Sequence, residues 1–121
     1  MRISTATHDV SIPKSQYKVG KGILIKKGKN LTIVAAGPQL QTAVDALKPL
    51  MKYSYDAEII YVPTIKPFDH NLVARSVAKT GRCLVIEEHA SRGGVFEEVL
   101  LSANGIKVQV AGINLGERFI H

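Results

Sequence analysis

Between Pro63 and Gly94 the chain sets out, in order, a proline-bounded turn, a capped helix, a strand apolar on both faces and a glycine pair. The strand constrains the fold most. In Arg82 to Glu87 the run Cys83-Leu84-Val85-Ile86 leaves no polar face to turn toward water, as in a parallel strand covered by helices on both sides. The helix before it opens at Asp69, whose carboxylate can accept free backbone amides as N-cap, with Phe68 placed to staple onto Val73. Its inward face is Leu72, Val73, Ser76 and Val77, and Gly81 suits the C-terminal turn.

The same alternation of strand and helix extends both ways. Residues 22–26 and 31–36 are apolar runs separated by Lys27-Gly28-Lys29-Asn30, and so short a connection predicts a hairpin with the first strand antiparallel beside the second. Leu40, Ala43, Val44, Leu47, Leu50 and Met51 follow helical spacing, and Pro49 is expected to kink or end that helix near Lys48. Residues 58–62 form the next strand, stopped by Pro63. Val95, Phe96, Val99, Leu100 and Ala103 mark a further helix ending at Asn104-Gly105, and 107–111 the last strand. The order β, β, α, β, α, β, α, β gives a three-layer α/β/α domain on a five-stranded mixed sheet, with four parallel strands and one antiparallel edge strand.

A chain of 121 residues suits one domain with its own core. The net charge of +6 is unevenly spread: residues 1–30 carry seven Lys or Arg against Asp9 alone, whereas residues 31–121 carry nine of each sign. Residues 1–18 are therefore expected to be an extended basic leader and 19–121 the globular domain. The lysines are dispersed, with Tyr17 the only aromatic among them, so a solvated or partner-facing leader is preferred over nucleic-acid binding. The single cysteine, Cys83, rules out an internal disulfide, and no apolar run has the length of a signal peptide or membrane span. A cytoplasmic protein without membrane attachment is expected.

Ligands of open α/β sheets favour the crevice beyond the carboxyl ends of the parallel strands. There Glu87, Glu88, His89 and Arg92, with Gly93 and Gly94, form the densest ionisable cluster. They suit either an acid-base pair or anion site beside a helix N-terminus, or a polar network that fixes the loop against a neighbouring domain or subunit. The second is preferred. Thr64, Lys66, Pro67 and Asp69 read as a structural turn and cap. His70, His121 and His8 lack partners at metal-ligand spacing, and a thiol in an apolar strand is a poor nucleophile, so no metal site and no catalytic residue is assigned.

Thr64-Ile65-Lys66-Pro67-Phe68-Asp69, Glu87-Glu88-His89 and Gly93-Gly94, with Leu31 to Gly37 as a first parallel strand and its turn, closely resemble the C-terminal domain of transketolases, especially the short, two-subunit type. They are similar, less closely, to deoxyxylulose-phosphate synthases and to 2-oxo acid dehydrogenase beta subunits. The resemblance covers about residues 17–120. It implies a parent transferase that moves ketol groups between sugar phosphates, in pentose phosphate chemistry, with thiamine diphosphate and Mg2+ held by two other domains. It also implies that the matched domain builds subunit contacts, with other transketolase domains or subunits, or copies of itself, as partners. Arg2-Ile3-Ser4-Thr5 resembles the tail of a pyrimidine-binding domain, with Thr5 where the family often has a phosphate-contacting arginine, and Gly116 to Ile120 resembles the passage into a last helix. A fragment, a truncated subunit or a divergent relative is expected, binding no cofactor and inactive alone. The alternatives are an independent small-molecule or anion-binding or regulatory module and a fragment of a 2-oxo acid dehydrogenase beta subunit.

Overall fold

The computed structural model describes residues 2–4, 9–11, 18–37, 39–63, 67–87 and 94–114. Two short strands, β1 (Arg2–Ser4) and β2 (Asp9–Ser11), pair antiparallel in a small sheet of their own. The remaining elements are β3 (Ile23–Lys26), β4 (Leu31–Ala36), α1 (Gln39–Lys52), β5 (Ala57–Val62), α2 (His70–Thr80), β6 (Arg82–Glu87), α3 (Val95–Ser102) and β7 (Gln109–Asn114). The sheet order is β3-β5-β4-β6-β7, with β4, β5, β6 and β7 parallel and β3 antiparallel at one edge. This is the five-stranded mixed sheet that the sequence predicts.

Strand alternation divides the core into two layers. Ile33, Ala35, Ile59 and Tyr61 pack with Leu40 and Ala43 of α1, whereas Val34, Ile60, Val62 and Val85 pack with α2 and α3. Because helices cover both faces, β4 and β5 need apolar residues at consecutive positions, and each large side chain removed from water contributes about 1.5–3 kcal/mol.

The expected hairpin does not form. β3 pairs with β5 instead, because residues 27–30 cross the amino end of β5 and are bonded to it. The N–H groups of Lys29 and Asn30 both donate to the Asp56 carbonyl, at 3.0 and 3.2 Å. Asn30 Oδ1 accepts from the Asp56 N–H at 2.7 Å. Gly28 lies so close to β5 that a Cβ there would stand 2.2 Å from the Ala57 carbonyl carbon. The connection is short, yet it spans one strand width because glycine lets the two backbones touch.

Two boundaries also differ. α1 runs through Pro49 to Lys52. An interior proline costs about 3 kcal/mol, but Leu47 and Leu50 pack against the core on either side of it, and the N–H groups of Tyr53 and Tyr55 close on the Leu50 carbonyl, both at 3.0 Å. Tertiary packing therefore carries the last turn. β7 starts two residues late and extends past Gly112, where a Cβ would meet the Phe96 ring at 2.7 Å. That glycine makes room for an aromatic ring and does not break the strand.

Candidate functional site

At the carboxyl ends of the parallel strands the described residues include Gly37, Val62-Pro63 and Glu87. Thr64, Lys66, Glu88, His89, Arg92 and Gly93 lie outside the described residues. Pro67, Asp69 and Gly94 lie within them. Asp69 uses both carboxylate oxygens: Oδ1 accepts from the Leu72 N–H at 3.2 Å and caps α2, and Oδ2 accepts from the Gly22 N–H at 2.9 Å. One side chain thus starts a helix and ties it to the passage into β3. Gly81 ends α2 in the left-handed region, at φ +77, donating to the Val77 carbonyl. Pro67 stands beside Gly20, whose φ is +78 and where a Cβ would lie 3.1 Å from the Pro67 Cγ.

Gly94 is the buried N-cap of α3 and has no side chain with which to cap it. Glu87 does this work from the end of β6, its Oε2 accepting from the Phe96 N–H at 3.2 Å. The position at α3 that suits an anion is therefore filled by the protein's own carboxylate. A bare glycine cap seven residues after an acid at a strand end was the available signal. Gly94 is brought close to Glu87, and both serve the helix.

Two polar clusters escaped the sequence reading. His70 bridges α2 and α3: its Nδ1 is 2.7 Å from Ser102 Oγ and its Nε2 is 3.3 Å from Glu98 Oε1. The Ser102 hydroxyl also lies within donating distance of the Glu98 carbonyl, at 2.9 Å, and the His70 tautomer sets the direction of its bond to Nδ1. This arrangement joins α2 to α3.

The second cluster sits at the opposite, amino end of the sheet. Glu58 is 3% exposed, beside Thr32 in the β4–β5 register. It accepts from Ser76 Oγ at 2.6 Å and from the Gly28 N–H at 3.1 Å, and is ion-paired with Lys79. Thr32 Oγ1 is shared between Ser76 and Thr80, each at 2.7 Å. Burial pushes the Glu58 carboxyl upward, but the hydrogen bonds from Lys79, Ser76 and Gly28 outweigh it and hold the group below its ordinary value. At Cys83, burial acts unopposed and pushes the thiol up to about 12, so it stays protonated and inert. Among the described residues no group of three His, Cys, Asp or Glu could hold a metal ion, and no helix is long and apolar enough to cross a membrane.

A mixed sheet between helical layers, with the described strand-end carboxylates Asp69 and Glu87 engaged in capping, places the chain among α/β domains. The family is settled by comparison with known proteins: residues 20–115 match the transketolase C-terminal domain, and the chain belongs to that family. It is 33% identical over 108 residues to a 1-deoxy-D-xylulose-5-phosphate synthase of Clostridium acetobutylicum, a match spanning 89% of this chain and 17% of the relative. It is 33% identical over 90 residues to a pyruvate dehydrogenase E1 component subunit beta of Staphylococcus epidermidis, spanning 73% and 28%. A solved split-gene transketolase, described as an inactive beta4 tetramer, superposes with a TM-score of 0.77 at 31% identity, over 92% of this chain and 39% of that one. The chain thus corresponds to well under half the length of each.

Proposed function

We propose that this chain serves as the C-terminal, assembly-forming part of a thiamine-diphosphate-dependent transketolase and performs no chemistry by itself. The parent activity is ketol transfer between sugar phosphates in the cytoplasm. The observation that carries this reading is the commitment of the strand-end carboxylates: Asp69 and Glu87 are both engaged in holding helices and loops. Among the described residues no group of three His, Cys, Asp or Glu could hold a metal ion, and this reading gives the cofactor to other domains. By the same reading residues 1–18 are a leader from a pyrimidine-binding domain, and Glu88, His89, Arg92, Gly93 and Gly94 form a contact loop toward it, with Thr64, Lys66, Pro67 and Asp69 shaping the turn beneath.

Self-association is supported by the far side of the domain. Leu100 and Leu101 of α3 are 46% and 64% exposed, and the edge strand β7 has six residues with no charge and no proline. Natural sheets usually protect an open edge with such residues. The solved relative that forms a tetramer of one chain type favours a second copy as the partner. Sedimentation velocity of the full chain is expected to show a dimer or larger species, and the paired change Leu100→Glu and Leu101→Glu is expected to give a monomer with unchanged circular dichroism. A wild-type chain that stays monomeric at micromolar concentration contradicts self-association.

A further inference from the structure

The charge excess of the chain is concentrated at the opposite edge. Lys18, Lys21, Lys26, Lys27 and Lys29 flank β3, and residues 18–30 hold no acid. β3 is the outer strand on this side, so its outward backbone groups pair with no other strand of the sheet. Between it and α2 runs a groove of about 600 Å3, walled by Lys21, Asn71 and Arg75 and floored by Leu24 and Leu72. A smaller hollow of about 190 Å3 shares Leu24, Leu72 and Arg75 and continues it to Lys27 and Lys79.

The carboxylates in these walls are spoken for. Asp69 accepts from two backbone N–H groups, and Glu58 from Lys79, Ser76 and Gly28. Lys26 pairs with Asp56 at 3.1 Å. Lys21, Lys27 and Arg75 pair with no carboxylate among the described residues, and they rim an apolar floor whose Leu24 is 39% exposed.

We infer that the β3–α2 groove docks an extended, acidic segment of a partner protein. Such a segment lies along the outer side of β3, with apolar side chains on the Leu24 and Leu72 floor and carboxylates reaching the cationic rim of the same groove. A second copy of this chain is disfavoured here, because two β3 edges carry the same lysine-rich charge. Nucleic acid is disfavoured because no aromatic side chain lines the groove to stack on a base. The inference deepens the assembly reading by naming the chemistry of the partner, and it concerns a different surface from Leu100 and Leu101.

The test is fluorescence anisotropy of the full chain with a short labelled peptide in which Glu alternates with Leu. Saturable binding is expected, weakened by added salt because the rim is exposed. The paired change Lys27→Glu and Arg75→Glu is expected to weaken binding by about tenfold or more, whereas Lys48→Glu with Lys52→Glu, an equal charge change on α1, leaves it within about twofold. A peptide alternating Glu with Ser is expected to bind less tightly, since it cannot fill the floor. No saturable binding, an equal loss in both charge variants, or single-stranded DNA displacing the peptide as well as unlabelled peptide does would each overturn the inference. Any of these would leave the sedimentation result at Leu100 and Leu101 intact, so the two readings fail separately.

Discussion

Replacing Glu58 by Ala is expected to destabilise the domain by about 3 kcal/mol, a large share of the about 5–15 kcal/mol that holds a typical domain together. The residue ties three parts of the fold to one carboxylate: the crossing loop through Gly28, α2 through Ser76 and Lys79, and β5 itself. Its loss leaves the buried Gly28 N–H without its acceptor, at about 1–3 kcal/mol, and takes one of two partners from the Ser76 hydroxyl, which keeps Thr32 Oγ1 at 2.7 Å, whereas Lys79 is half exposed and turns to water. Lys79→Met is therefore the milder change, at about 1 kcal/mol. The sign of the pH dependence follows from the lowered Glu58 pKa. Its contribution is present above the ordinary carboxyl value of 4.5 and is lost as pH falls through the folded-state value. Urea unfolding of wild type and Glu58→Gln should show a gap that is widest near neutral pH and narrows in acid. A gap that widens in acid contradicts the network.

Gly28→Ala is expected to cost about 3 kcal/mol or more, because the new methyl group meets backbone atoms of Ala57 and Glu58 that cannot move without disturbing β5. Gly81→Ala is the informative control. Nothing lies within 4 Å of a Cβ at Gly81, but its φ of +77 imposes a backbone penalty of about 1 kcal/mol. One substitution acts through crowding and the other through conformation, so thermal unfolding should rank Gly28→Ala well below Gly81→Ala. Equal costs would mean that residues 27–30 do not cross β5 in close contact.

The parts of the fold legible in the sequence are those that local chemistry dictates. Cys83 to Ile86 announced a doubly covered strand, Asp69 a helix start and Gly81 a helix stop, and each is realised. What stayed hidden depends on which elements become neighbours. The four residues 27–30 look like any hairpin turn, and only the bonds to Asp56 and Glu58 show that they bridge across a strand. Pro49 stops a helix considered alone, but not one whose last turn is anchored by Leu47 and Leu50. At the strand ends, Asp69 was recognised as a cap from its position, while its second bond to Gly22 links residues 47 apart. Glu87 was placed in an ionisable cluster because it adjoins Glu88 and His89, whereas its carboxylate belongs to α3. The His70, Glu98 and Ser102 contacts follow from α2 lying beside α3, which no spacing within either helix could reveal.

Among the described residues the strand-end carboxylates Asp69 and Glu87 are engaged in holding the domain together, and the proposed function gives cofactor chemistry to other domains. Calorimetric titration of the chain with thiamine diphosphate and Mg2+ tests this most directly. The account predicts no saturable heat with either component, alone or together, from chain whose fold is verified by circular dichroism. Tight, stoichiometric binding of the cofactor by this chain alone would contradict it.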